Sequence, residues 1–154
     1  MAVTALHPPS VPDMARAAHR VRTEPAYGAY MLLRVGFTVL PLLFGVDKFF
    51  NALTNWEHYL APWIIRLIPF TAHQAMMVVG VIEIVAGLAV ALKPRYAAYI
   101  VAVWLGGIVI NLFSYPGFYD IALRDFGLLL AAVTLARLAS VYDSPWRRRA
   151  GRAS

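Results

Sequence analysis

The sequence contains no cysteine. That removes disulfides, thiolate nucleophiles, iron–sulfur ligation and the paired-cysteine redox motif together. Charge is also scarce. Asp, Glu, Lys and Arg make up 14% of the 154 residues and hydrophobic residues 60%, against about 25% and about 45–50% in soluble domains. A soluble chain this short could not hide so much apolar surface, because small domains leave a large share of their area exposed. Histidine is missing from the interior of every long apolar run, which excludes a bis-histidine haem between helices of this chain. No phosphate-binding glycine loop, nucleophile elbow or HExxH stretch is present, and each would need its own spacing. Residues 1–27 lack the apolar core of a secretory signal, so the first apolar run is expected to remain as an uncleaved anchor.

The apolar runs that remain predict an all-α, integral membrane four-helix bundle. Helices satisfy their own backbone groups in lipid, which isolated strands cannot do. Spans are expected at about 29–50, 71–92, 96–113 and 119–140, within a domain covering 28–140. Each offers about 18–22 residues, or about 27–33 Å of helix, to match a hydrocarbon core of about 30 Å. Residues 1–27, with four prolines, read as a disordered cytoplasmic tail, and 141–154 as a basic cytoplasmic tail. Residues 51–69 are too polar and proline-broken to cross. They are expected to lie in the headgroup layer, anchored by Trp56, Tyr59 and Trp63.

The net charge of +6 does not point to nucleic acid, since the basic residues lack a folded recognition module. They cluster instead beside the spans: Arg16, Arg20 and Arg22; Lys93 and Arg95; Arg147, Arg148, Arg149 and Arg152. Basic loops beside spans mark the cytoplasmic side. The short turn Lys93-Pro94-Arg95 is therefore cytoplasmic, as are both termini, and the Pro-Gly turn at Ser114–Phe118 faces the other way.

Ionisable groups inside a span are costly in lipid and are the first places to look for a site. The intramembrane candidates are Arg34, Asp47, Lys48, Glu83, Arg124 and Asp125, joined by the amide of Asn111. Glu83 falls near the middle of the second span. At 100° per residue it shares a face with Ala72, Met76, Gly80, Gly87 and Val90, and small residues around a carboxylate predict a helix contact rather than lipid. Counting depth at 1.5 Å per residue puts Arg34 and Arg124 within reach of Glu83, places Lys48 too near the outer surface, and pairs Asp47 with Arg124.

On the first span Arg34, Thr38, Pro41, Gly45 and Lys48 form a stripe, with a kink expected at Pro41. Asn111 shares a side with Gly107, Trp104 and Ile100. On the last span Asp120, Arg124, Gly127 and Ala131 align, and Asp125 points about 100° away. Together these faces predict a polar pocket in the outer half, covered by 51–69 with Glu83 at its floor. The same residues could equally serve only to fix helix register, where interhelical hydrogen bonds average about 0.6 kcal/mol. Trp56, Trp63, Tyr115 and Tyr119 read as interface anchors, and Met76 and Met77 as packing residues. Glu57, His58 and His73 lack the tight spacing of a metal site, so no metal is expected.

At these positions the chain resembles the DoxX-like family of small four-helix bacterial membrane proteins. The resemblance covers about residues 29–140. It lies in Leu33-Arg34-Val35-Gly36, Gly45-Val46-Asp47-Lys48-Phe49, the run from Gly80 to Leu88 around Glu83, Lys93-Pro94-Arg95, Asn111 and Arg124-Asp125. Arg34, Lys48, Glu83 and Asp125 match positions that the family usually fills with the same residue types. The resemblance implies a bacterial cytoplasmic membrane and an association with quinol or thiosulfate:quinone oxidoreduction or with oxidative-stress complexes.

The expected function is an accessory subunit of a membrane redox or quinone-linked respiratory assembly, without catalysis or a cofactor of its own. A quinone contact and neighbouring membrane subunits would be its partners. The alternatives are a small proton-coupled transporter using Glu83, and an intramembrane enzyme acting on a quinone or lipid head group through Arg124 and Asp125.

Overall fold

The computed structural model describes residues 11–143, and helices are the only regular elements among them. In chain order they are α1 (Val11–Thr23), α2 (Pro25–Asp47), α3 (Pro62–Leu67), α4 (Ala72–Leu92), α5 (Pro94–Phe113) and α6 (Tyr119–Tyr142), with one 3-10 turn at Trp56–Tyr59. Three of them, α2, α4 and α5, are long and apolar enough to cross a membrane. Most of the basic tail expected at 141–154 lies outside the described residues.

Local chemistry sets the ends. Pro25 and Pro94 stand at the starts of α2 and α5, where a missing N–H costs nothing. Thr71 and Gln74 close a reciprocal capping box on α4, satisfying two backbone donors. Gly117 takes the positive φ of the α5–α6 turn at 109°, a conformation glycine enters without steric cost.

The expectation of a disordered tail through residue 27 needs correction, because Val11–Thr23 is helical. The position of the prolines, not their number, decides. Pro12 is the second residue of α1 and Pro25 the first of α2, sites that tolerate proline, and Met14-Ala15-Arg16-Ala17-Ala18 between them favours helix. Arg20 forks onto Glu24 with two bonds of 3.0 Å, and its guanidinium lies 4.4 Å from the Tyr27 ring centre, joining α1 to α2.

The heaviest packing joins α5 to α6 and α2 to α4, and α2 also meets α6 while α4 meets α5. Each long helix therefore has two long neighbours. The apolar core lies toward the α4–α5 turn. Alanines 97, 98 and 102 of α5 and 132, 136 and 139 of α6 bring those helices close, with Tyr30, Val90 and Leu135 filling in.

The register of α2 against α4 decides the rest of the geometry. A Cβ on Gly45 would stand 2.7 Å from the Gly80 carbonyl, and one on Gly87 would stand 2.8 Å from the Thr38 carbonyl. Farther along, Arg34 bonds the Ala91 carbonyl at 2.5 Å. Antiparallel neighbours pair residues in this way, stepping up one helix and down the other. Two overhangs follow. The first turns of α2 run roughly 13 Å past the end of α4, and the first turns of α4 run about 12 Å past the level of Gly45. The second overhang is where residues 51–69 fold back, their 3-10 turn packing on α4.

Candidate functional site

At the point where α2 stops, Asp47 and Lys48 are both buried, Lys48 being only 4% exposed. Lys48 Nζ lies 2.7 Å from Glu83 Oε2 of α4, and 3.8 Å from the centre of the Trp56 ring. A cation over an indole face gains from the ring quadrupole, so the ammonium is held from two sides. The Trp56 indole N–H donates to Asp47 Oδ2 at 2.7 Å. Asp47 also accepts from the backbone N–H groups of Ala52 and Leu53. Asp125 of α6 is partly buried within electrostatic reach of Lys48 and Glu83. Three helices and the covering segment thus meet at one lysine faced by two carboxylates.

The covering segment is tied down from the far side. Asn111 of α5 accepts from the Ala61 N–H at 2.9 Å and donates to the Tyr59 carbonyl at 2.7 Å. Trp63 Nε1 donates to Ser114 Oγ at 2.7 Å, and the Tyr115 hydroxyl donates to the His58 carbonyl at 2.9 Å. Burial pushes the Tyr115 phenol above its ordinary pKa, with a smaller push from Tyr59, so it keeps its proton for that bond. Glu57 Oε1 lies 2.9 Å from His73 Nδ1 at the start of α4.

One amide side chain therefore holds two backbone groups of residues 51–69. Asn111→Ala is expected to cost about 1–2 kcal/mol, because it leaves an N–H and a carbonyl without their partner. The loss should be local. Amide hydrogen exchange in residues 56–65 should quicken well before that of α4 and α5, and uniform exchange across all three would contradict the tie.

Several sequence expectations hold here and several do not. Gly80 and Gly87 on the Glu83 face do pack on α2, and residues 51–69 do lie over the polar groups. Lys48, however, is the partner of Glu83, although it directly follows the last residue of α2. Equal starts for the spans do not hold, because α2 begins with turns that overhang α4 and its residues pair about one turn farther along α4. Arg34 does not reach Glu83. It bonds the Tyr30 hydroxyl at 3.1 Å and the Ala91 carbonyl, beside the end of α4 and well short of Glu83.

Arg124 does not join the cluster either, and it does not pair with Asp47. Its side chain is 75% exposed and lies 3.6 Å from Asp120, one turn earlier on α6. The 100° step between neighbours on a helix turns Asp125 inward and Arg124 outward, and similar depth says nothing about direction. The sequence also gave no sign of Trp56 as the partner of Asp47 and Lys48, because the contact depends on how the chain turns between residues 48 and 56.

The fold and site define an all-helical protein with at least three membrane-length helices among its described residues and a buried polar cluster under a pinned segment. No family model, curated protein or solved structure matches this chain.

Proposed function

We propose that α2, α4, α5 and α6 cross a bacterial cytoplasmic membrane as a four-helix bundle with both termini on the cytoplasmic side. Within it the chain serves as a cofactor-free accessory subunit of a redox or quinone-linked assembly. The observation that carries a supporting rather than a catalytic role is where the inward polar side chains go. Lys48 holds Glu83, Asp47 holds Trp56, and Asn111 holds residues 59 and 61. Each fastens one element of the chain to another.

The bilayer part of the proposal is supported by the outer surface, where Leu32 is 75% exposed and Val103 78%, along with many other large apolar side chains. Soluble monomers seldom show apolar patches beyond a few hundred Å². The redox association, any quinone contact and the neighbouring subunits rest on the motif resemblance. Purification from membranes in mild detergent, followed by mass spectrometry, should recover the chain with oxidoreductase subunits. A chain that always migrates alone overturns the subunit reading.

One observation favours a second reading, a proton carrier: Asp125 and Glu83 face the single ammonium of Lys48 from different helices. Vesicles containing the purified chain that show no proton flux would end it. Arg124 and Asp125 point in different directions, so the geometry lends an enzyme using both no support.

A further inference from the structure

Arg34 stands apart from the polar cluster, about 20 Å back along α2 from Lys48 and beside the end of α4, and its chemistry is unfinished. A guanidinium carries five N–H donors. Two are used, both on neutral oxygens, those of Tyr30 and Ala91. Among the described residues no carboxylate lies within ion-pair distance of it. An arginine inside a helical membrane protein without a counter-charge is expensive, and the two neutral acceptors leave its full positive charge in place.

The side chain is not sealed in. It forms part of the wall of an open groove of about 200 Å³, whose other walls are Met31, Val35, Thr38, Val39 and Ala91. Met31, Val35 and Val39 follow one another at four-residue steps, so they make a continuous apolar strip down α2. Val35 is 54% exposed and Val39 44%. The groove is therefore an almost wholly apolar track with the Arg34 side chain in one wall.

Its level on the fold suits a head group. Arg34 is level with Ala91, one residue from the end of α4, and Lys93 and Arg95 follow on the next turn. Just beyond lie the rings of Tyr27, Tyr30 and Tyr142, with centroids 5.3–6.0 Å apart. Tyr30 belongs to the buried core, but Tyr27 and Tyr142 are only half-buried, and tyrosines beside basic residues are typical of the boundary between hydrocarbon and head groups. Basic pockets between helices on the cytoplasmic side suit anionic lipid head groups.

We propose that the groove between Arg34 and Val39 is a binding site for one anionic phospholipid, with Arg34 on the phosphodiester and an acyl chain along Met31, Val35 and Val39. The free N–H groups of the guanidinium supply charge-assisted bonds to phosphate oxygens, for which its planar fork is well shaped. Bound this way, the lipid places a negative charge directly on the guanidinium, whereas Asp143, the described carboxylate that acts on Tyr30, forms no ion pair with it. The site rests on the bilayer part of the proposed function and not on the redox assignment.

The test is retention of lipid by the full chain after reconstitution into nanodiscs of equal phosphatidylglycerol and phosphatidylcholine, read by native mass spectrometry of the released protein. Wild type should keep phosphatidylglycerol in preference. Arg34→Gln should reduce that retention about fivefold, the scale set by one basic residue near an anionic surface.

Arg34 also ties α2 to α4, so a second variant keeps its bonds intact. Val39→Trp fills the apolar track and should lower retention as well. Arg16→Gln, an exposed change on α1, removes the same charge outside the groove and should leave retention unchanged. Equal retention by Arg34→Gln, full retention by Val39→Trp, or no preference in wild type would each overturn the site. A chain that fails to enter nanodiscs at all would instead count against the bilayer reading.

Discussion

Lys48→Met is expected to destabilise the folded chain by about 3–5 kcal/mol, the usual cost of removing one partner from a buried ion pair. The loss comes from what stays behind. The Glu83 side chain is only 15% exposed, and without the ammonium its carboxylate faces apolar helices with no opposite charge beside it. The Trp56 ring would also lose the cation it covers. The reverse change should be milder. In Glu83→Met the ammonium keeps the indole face and the nearby Asp125 carboxylate, so its charge is still partly met.

The double variant Lys48→Met with Glu83→Met should be more stable than Lys48→Met alone, because a buried pair replaced by apolar groups of similar volume is often nearly neutral. Denaturant unfolding in detergent micelles, followed by tryptophan fluorescence, measures all three. A double variant whose loss equals the sum of the two single losses would show that the residues do not act as a pair.

How much of this was legible in the sequence depends on which physical quantity fixed it. The α4, α5 and α6 helices were expected within a few residues of where they lie, because apolar run length and the turns at Lys93–Arg95 and Ser114–Phe118 are local features. The small-residue face around Glu83 was legible for the same reason, since the helical period alone puts Gly80 and Gly87 on one side. What failed was every statement that needed the offset between two helices. A single starting plane for all spans puts Lys48 too near the outer surface to meet Glu83 and brings Arg34 within its reach. The observed pairing of α2 with α4, Arg34 beside Ala91 and Gly45 beside Gly80, moves both by about one turn. The outward turn of Arg124 and the role of Trp56 depend on tertiary rotation and loop path, for which the residues carry no local mark.

That offset is set by the glycines, and it yields the second large effect. Gly80→Leu should destabilise the chain by about 3 kcal/mol or somewhat more, at or above the top of the range for overpacked cores. Even its first carbon would stand 2.7 Å from the Gly45 carbonyl, 3.1 Å from the Phe49 ring and 3.2 Å from the Lys48 Cβ. The carbonyl belongs to a helix backbone and cannot turn aside, so α2 and α4 must separate, and Lys48 must shift relative to Glu83.

Gly45 and Gly87 face the same obstacle from opposite α-helix carbonyls, and alanine there should already be harmful. Gly36, Gly107 and Gly127 provide the contrast, since nothing lies within 4 Å of a Cβ built on them. At those three positions alanine should be neutral or stabilising by up to about 1 kcal/mol, because it narrows the unfolded ensemble and suits a helix better. Thermal unfolding of these five alanine variants, with Gly80→Ala as the sixth, in one detergent would sort them. If the two groups of three lost stability alike, close approach of α2 and α4 would not be what sets the depth of Lys48.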